Sequence, residues 1–189
     1  MHQFLIHFKR AFVFIDGSNF YFDLRELNKR SGVKFSLLNF KFREFAQWLV
    51  KPNQLKEIRY YIGAVKLHLK NEKSEEVYLN QQKLLKNLRR QKIDIILGQV
   101  IQHPDKSYHE KGVDVRLAVE MIRFARLNKY DIAYLISSDT DLVPAVEEVK
   151  SLGKKVYYVG ISKGESFGLG RVADKIKMLT PKEIKKFLS

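Results

Sequence analysis

The chain reads as an α/β protein whose parallel sheet is covered by helices on both faces, and three observations predict it. Five short runs have the near-continuous hydrophobicity of strands buried on both sides: AFVFI at 11–15, IRYYIGAV at 58–65, IDIIL at 93–97, IAYLI at 132–136 and KVYYV at 155–159. The stretches between successive runs carry apolar residues at helical spacing. No linker or repeat breaks the alternation, and 189 residues suffice for one hydrophobic core but are short for two. A single domain over 1–189 is expected.

The first strand ends in Asp16-Gly17-Ser18-Asn19. A helix over about 19–30 follows, with Phe20, Leu24 and Leu27 on one side and Ser31-Gly32 as its stop. A second helix, 39–50, gathers Phe42, Phe45, Ala46 and Leu49, and Lys51-Pro52-Asn53 ends it. After the second strand, 72–91 is helical, with Val77, Leu84, Leu85 and Leu88 forming its apolar face. The polar stretch 99–110, with Pro104-Asp105, reads as a loop or a short hairpin. Leu117, Ala118, Met121, Ile122 and Ala125 define a helix over 113–127. The next helix, 141–152, tolerates Pro144 in its first turn and stops at Gly153. Short helical pieces near 169–174 and 182–188 complete the pattern.

Lys and Arg outnumber Asp and Glu by 35 to 21, giving a formal charge of +14. That surplus points to a polyanionic partner, RNA or another nucleic acid; the competing reading is a solvated basic surface. The chain has no Cys, which excludes disulfides, thiolate zinc sites and thiol nucleophiles and fits a reducing cytoplasm. The apolar stretch in MHQFLIHFKR is short, its basic pair follows it and no small-residue cleavage site is present, so it does not read as a signal peptide. No run approaches the roughly 18 apolar residues of a membrane span. A cytoplasmic protein without membrane attachment is expected, and the segment 4–8 reads as an edge strand or a homodimer contact.

Asp16, Asp114, Asp139 and Asp141 carry the chemistry. Each has a structural explanation when taken singly. Asp16 could shape the turn at Gly17. Asp139 or Thr140 could cap the helix that begins near Asp141, and Asp114 or Asp141 could favour a helix N-terminus. All four nevertheless fall at the same end of their elements, and open parallel sheets place their sites beyond the strand C-termini, where strand order reverses. Carboxylates gathered there repel, by about 4 kcal/mol for a pair at ~4 Å and an effective dielectric near 20. Mg²⁺ or Mn²⁺ would neutralise such a set, and a cation so held can activate water against a phosphodiester.

Asp16-Gly17-Ser18-Asn19, Lys111-Gly112-Val113-Asp114 and Ser137-Ser138-Asp139-Thr140-Asp141, in that order, resemble the motifs of the NYN branch of the PIN-like nuclease superfamily, most closely its LabA-like members. The segment from Ser166 to Asp174 is also similar to that group, and the resemblance spans nearly the whole chain. It implies a three-layer α/β/α sandwich with a mostly parallel five-stranded sheet in the order 3-2-1-4-5. It also implies metal-dependent cleavage of RNA, with the four aspartates as catalytic and metal-binding residues. Asn19 would orient Asp16 or contact substrate, Ser138 and Thr140 would bind substrate beside Asp139, and Lys111 would reach the scissile phosphate. Ser138 stands where many relatives carry Gly, and no second RNA-binding module is evident after the domain.

Lys66, His68 and Lys70, alternating beyond the second strand, form the preferred phosphate-contacting set. Lys86, Arg89, Arg90 and Lys92 read as basic residues at a helix C-terminus, and the lysines at 175, 177, 182, 185 and 186 as solvent-facing. Phe20, Phe22, Tyr60 and Tyr61 are assigned mostly to the core rather than to base stacking. His103 and His109 lack the companions of a metal site. Two functions of different classes fit this pattern: a divalent-metal-dependent ribonuclease, or a catalytically silent RNA-binding or regulatory module on the same scaffold. A Rossmann-type nucleotide site lacks its glycine-rich loop here.

Overall fold

The computed structural model describes residues 8–31, 36–64, 72–102, 108–161 and 166–188. In chain order the elements are β1 (Arg10–Asp16), α1 (Gly17–Ser31), α2 (Phe42–Val50), β2 (Gln54–Ile62), α3 (Glu72–Arg90) and β3 (Asp94–Leu97). The hairpin strands β4 (Gln99–Gln102) and β5 (Tyr108–Lys111) lead to α4 (Val113–Arg126) and β6 (Ile132–Ile136). A 3₁₀ turn (Thr140–Leu142) runs into α5 (Val143–Ser151), followed by β7 (Lys155–Ile161), α6 (Phe167–Val172), β8 (Lys175–Leu179) and α7 (Pro181–Lys185).

The main sheet has six strands in the order β3-β2-β1-β6-β7-β8, and every neighbouring pair is parallel. The expected order is kept, with β6 and β7 as the predicted fourth and fifth strands. The sixth strand, β8, corrects the expectation of five. Its sequence KIKML is short and half exposed at the sheet edge, so it lacks the apolar continuity that marks the others. Asp174 is not helical but anchors this edge: its carboxylate accepts from the Val156 N–H at 2.8 Å, and its own N–H donates to the Val156 carbonyl at 2.8 Å. Of the two readings of 99–110, the hairpin is correct; β4 and β5 pair antiparallel as a separate two-stranded sheet.

Alternation along β1 sorts the core into two layers. Ala11, Val13 and Ile15 face α1, α2, α3 and α7, where Phe20, Phe40, Phe42, Phe45 and Phe187 interlock with centroid separations of 4.8–6.4 Å. Phe12 and Phe14 face α4, α5 and α6, against Leu117, Met121, Val146 and Leu169. A half-buried network ties α4 to the sheet. Glu120 Oε2 accepts from Arg59 Nη2 and from the Tyr61 hydroxyl, both at 2.8 Å, while the Arg59 guanidinium lies 4.7 Å from the Phe124 ring centroid. Among the described residues no helix is long and apolar enough to cross a membrane.

The burial of individual side chains decides several expectations. Val77 lies on the apolar stripe of α3 yet is 53% exposed, because the layer that covers Leu84 and Leu88 stops short of it. Phe20, Tyr60 and Tyr61 are core residues, but Phe22 is exposed, turned away from the face that buries Phe20 and Leu24. Lys177 is not simply solvent-facing: it pairs with Glu183 at 3.0 Å and sits 4.6 Å from the Trp48 ring centroid. The predicted helix 141–152 is divided, because the chain first makes the 3₁₀ turn that Asp139 caps.

Leu117 is fully buried on α4, whereas Val119 on the same helix is 55% exposed. Leu117→Ala should lower unfolding free energy by about 2–5 kcal/mol in a denaturant titration, and Val119→Ala by less than about 0.5 kcal/mol. Equal effects would contradict this packing of α4.

Candidate active site

Asp16 is the last residue of β1 and is fully buried. It caps α1: the Asn19 N–H donates to Oδ1 at 3.0 Å, which satisfies one of the free donors of the first turn. Its other oxygen, Oδ2, accepts from the Asn19 side-chain amide and from the Ser137 hydroxyl, the latter at 2.9 Å. Gly17 makes this tight start of α1 feasible. A Cβ there would lie 2.7 Å from Tyr60 Cζ and 2.8 Å from the Tyr61 carbonyl oxygen.

The hydrogen bonds continue across the end of β6. Ser138 Oγ donates to Asn19 Oδ1 at 2.7 Å, and the Asp139 N–H donates to Ser137 Oγ at 3.1 Å. Asp139 Oδ1 accepts from the Asp141 N–H at 2.9 Å, so Asp139 rather than Thr140 caps the turn. One bonded chain thus joins the C-termini of β1 and β6. Strand order reverses between these two, from β1-β2-β3 on one side to β6-β7-β8 on the other.

Asp114 stands in the first turn of α4, after Gly112, whose φ of +85° turns the chain from β5 into the helix. A cleft of about 250 Å³ lies between α1 and α4, lined by Asp16, Ser18, Asn19, Gly112, Val113 and Asp114. Partial desolvation pushes the Asp114 carboxyl up, and the charges of Asp16, Asp139 and Asp141 push it further in that order. The four aspartates therefore share one electrostatic neighbourhood, although only Asp16 and Asp114 line the cleft. Asp139 is half-buried and Asp141 exposed. Among the described residues none of the four is in an ion pair.

Oxygen-only donors with uncompensated negative charge suit a hard divalent cation. Among the described residues, no group of three or more His, Asp or Glu side chains stands close enough to grip an ion as placed. The donor chemistry is that of a hard divalent cation, with two carboxylates at the cleft and two more in electrostatic reach of Asp114.

Of the remaining predicted site residues, Thr140 is described in full and the others lie partly or wholly outside the described residues. The Thr140 methyl faces Gly168 of α6, where a Cβ would lie 3.1 Å from it. Lys111 ends β5 opposite Gln99, and its side chain, like that of His109, lies outside the description. Lys66, His68, Lys70 and His103 fall outside the described residues, as does the segment 4–7. Arg89 and Arg90 occupy the last turn of α3.

One acidic residue was missed from sequence. Asp23, half-buried on α1, is pushed from its ordinary value of 3.8 up to about 7, by burial first and then by the charge of Asp16. Its four-residue spacing from Asn19 puts the two on one helix face, which is the signal that could have found it.

Residues 10–178 match the NYN domain. The chain belongs to the NYN domain family. That membership places it in the PIN-like nuclease superfamily, for which a nucleic-acid substrate is the general expectation. This NYN domain is also similar in fold to the crystal structure of a protein of unknown function from Vibrio parahaemolyticus, at 22% identity, full coverage of both chains (100% each) and a TM-score of 0.69. A second structure, reduced CoADR-RHD of Bacillus anthracis, covers 82% of this chain and 33% of its own at 12% identity, and its TM-score of 0.21 carries no argument. No curated protein gives a significant match.

The Asp23 shift has a sign. A carboxyl held above its unfolded value gives the folded state the extra proton, so stability is lost as pH rises from about 4 through about 7. In EDTA, Asp23→Asn should flatten the decline in melting temperature over that window and melt higher than the parent at pH 8. An unchanged pH profile would contradict the environment assigned to Asp23.

Proposed function

We propose that this NYN domain is a divalent-metal-dependent ribonuclease that hydrolyses RNA phosphodiester bonds at the cleft between α1 and α4. The observation that carries the reading is Asp16: a fully buried carboxylate at the sheet's switch point, held by Asn19 and Ser137 and facing Asp114 across a cleft without a cationic partner among the described residues. A purely structural cap does not call for three further aspartates around it, and a binder of polyanions gains nothing from their charge.

Asp16 and Asp114 would hold the cation, since Mg²⁺ is commonly bound through one or two carboxylates and keeps several waters. Asp139 and Asp141 would add negative charge that favours the cation. The cation, when bound, supplies charge stabilisation for the displacement and makes water more acidic. Asn19 and Ser137 fix the Asp16 rotamer, and Ser138 fixes Asn19 in turn. Desolvation and the neighbouring carboxylates push the Asp114 carboxyl up, a cost that a bound cation would offset. The formal charge of +14 draws the RNA backbone to the domain, with an affinity that falls as salt rises. The ordered motifs favour the LabA-like branch.

Purified protein should cut end-labelled single-stranded RNA in Mn²⁺ or Mg²⁺ and not in EDTA. Asp16→Asn and Asp139→Asn should abolish cutting while circular dichroism stays unchanged, and Ser137→Ala should slow it about 10–100-fold. Undiminished cutting by both aspartate variants would contradict the proposal. RNA that binds equally well in EDTA and stays intact in every lane would make the domain a silent binding module instead.

A further inference from the structure

All six strands of the main sheet run in one direction, so their first residues share an edge opposite the one that carries Asp16 and Asp139. Backbone hydrogen bonds fix this row. The Gln54 N–H donates to the Lys9 carbonyl, the Asp131 N–H to the Arg10 carbonyl and the Lys155 N–H to the Asp131 carbonyl, at 2.9–3.1 Å. At about 3.3 Å per residue, the length of β1 sets the row about 20 Å from Asp16. The segments that lead into the six strands, 8–10, 51–54, 89–94, 126–131, 151–155 and 173–175, hold eleven Lys and Arg, three Asp and no Glu.

Helix ends account for only part of this charge. α2, α3, α4 and α5 each end just before a strand begins, and each presents about half a negative charge there. Together they call for about two cations, not for the surplus of eight that eleven cations over three acids leave. The three acids are already engaged: Asp131 pairs with Arg10 at 2.8 Å, Asp94 stands 3.8 Å from Arg59, and Asp174 accepts from the Val156 N–H. Lys9, Lys51, Lys92, Arg126 and Lys129 are exposed, and among the described residues none of them is in an ion pair. The row also holds two cations together. Asn128, in a left-handed turn with φ +52°, accepts on its Oδ1 from Arg10 Nη2 at 2.9 Å and from Lys154 Nζ at 2.6 Å. Like charges gathered this way repel, and a bound anion would relieve them.

We infer that this basic edge is a second nucleic-acid surface, which holds the phosphate backbone of RNA on the side of the domain away from the acidic cleft. The aspartates of the cleft repel a backbone that no cation accompanies, whereas the edge attracts it without metal. Contacts of this kind position the polymer and read no sequence. The inference rests on the ribonuclease reading for its choice of polyanion.

The test is binding in EDTA at several salt concentrations, with a fluorescent RNA of mixed sequence and about 30 nucleotides. Three forms of the full chain are compared. They are the parent, an edge variant carrying Lys9→Gln, Arg126→Gln and Lys129→Gln, and a control carrying Lys182→Gln, Lys185→Gln and Lys186→Gln, which removes the same charge at and beside α7. The edge variant should bind about tenfold weaker or worse at low salt. Its slope of log K against log salt should be shallower by about 2, as three lost phosphate contacts require. The control should bind within about twofold of the parent. An edge variant that matches the parent overturns the inference, and so does an equal loss in both variants, which would make the effect one of net charge. Lysine acetylation read by mass spectrometry checks the surface without substitution. RNA should protect Lys9, Lys51 and Lys129 and leave Lys182 and Lys185 reactive; the opposite pattern overturns the inference. Phosphatidylserine vesicles that bind the parent and not the edge variant, while both hold RNA alike, would assign the edge to a membrane surface and overturn it too. Weaker RNA binding by the edge variant of a protein that cuts no RNA upholds the edge and defeats only the ribonuclease reading. Cutting by a parent whose edge variant binds RNA equally well does the reverse.

Discussion

A carboxylate with no solvent exposure stands at the end of the central strand, and the surrounding structure is arranged to keep it there. Moving such a group out of water costs several kcal/mol unless its lone pairs are satisfied. Three donors meet Asp16, from the Asn19 backbone, the Asn19 amide and the Ser137 hydroxyl, and each comes from a segment fixed for another reason. Asn19 is placed by the first turn of α1, which begins flush against β2 only because residue 17 is glycine. Ser137 is placed by β6, which pairs with β1 along its whole length. The same bonds that offset the burial of Asp16 therefore bring the ends of β1 and β6 into one unit.

The two core layers explain why a cleft opens on one side of that unit and a cavity on the other. The layer holding Phe12 and Phe14 seats α4, and the Arg59–Glu120–Tyr61 network anchors it to β2, so Asp114 arrives opposite Asp16. The phenylalanine-rich layer packs α1 and α2 closely but leaves the Val77 end of α3 uncovered, and the apolar cavity forms there. Ser18 lines both the acidic cleft and this cavity, which meet at the first turn of α1.

Much of this was legible in the chain itself. Asp16 stood out because a carboxylate directly after an apolar run has few inexpensive structural roles, Asp139 because it follows a second such run after two serines, and strand order followed from motifs that matched in sequence order. What escaped was set by tertiary context. KIKML reads as neither core strand nor helix, and only the reciprocal bonds between Asp174 and Val156 define it as an edge. Val77 fits a helical stripe, but periodicity says which face is apolar and not how far a neighbouring layer extends along it. Asp23 looks like an ordinary helix-surface acid until burial and the charge of Asp16 act on it together. Thr140 shared a motif with the aspartates, yet the 3₁₀ turn aims its methyl at α6.

The account depends on Asp16 being a cation ligand and not merely a buried cap. The most direct measurement is Mn²⁺ binding in the absence of RNA, followed by the loss of the free-ion electron paramagnetic resonance signal, for the parent protein, Asp16→Asn and the distant Asp131→Asn. Saturable binding that disappears in Asp16→Asn and survives in Asp131→Asn is the predicted result. Equal Mn²⁺ binding by the parent and Asp16→Asn would contradict the account at its centre.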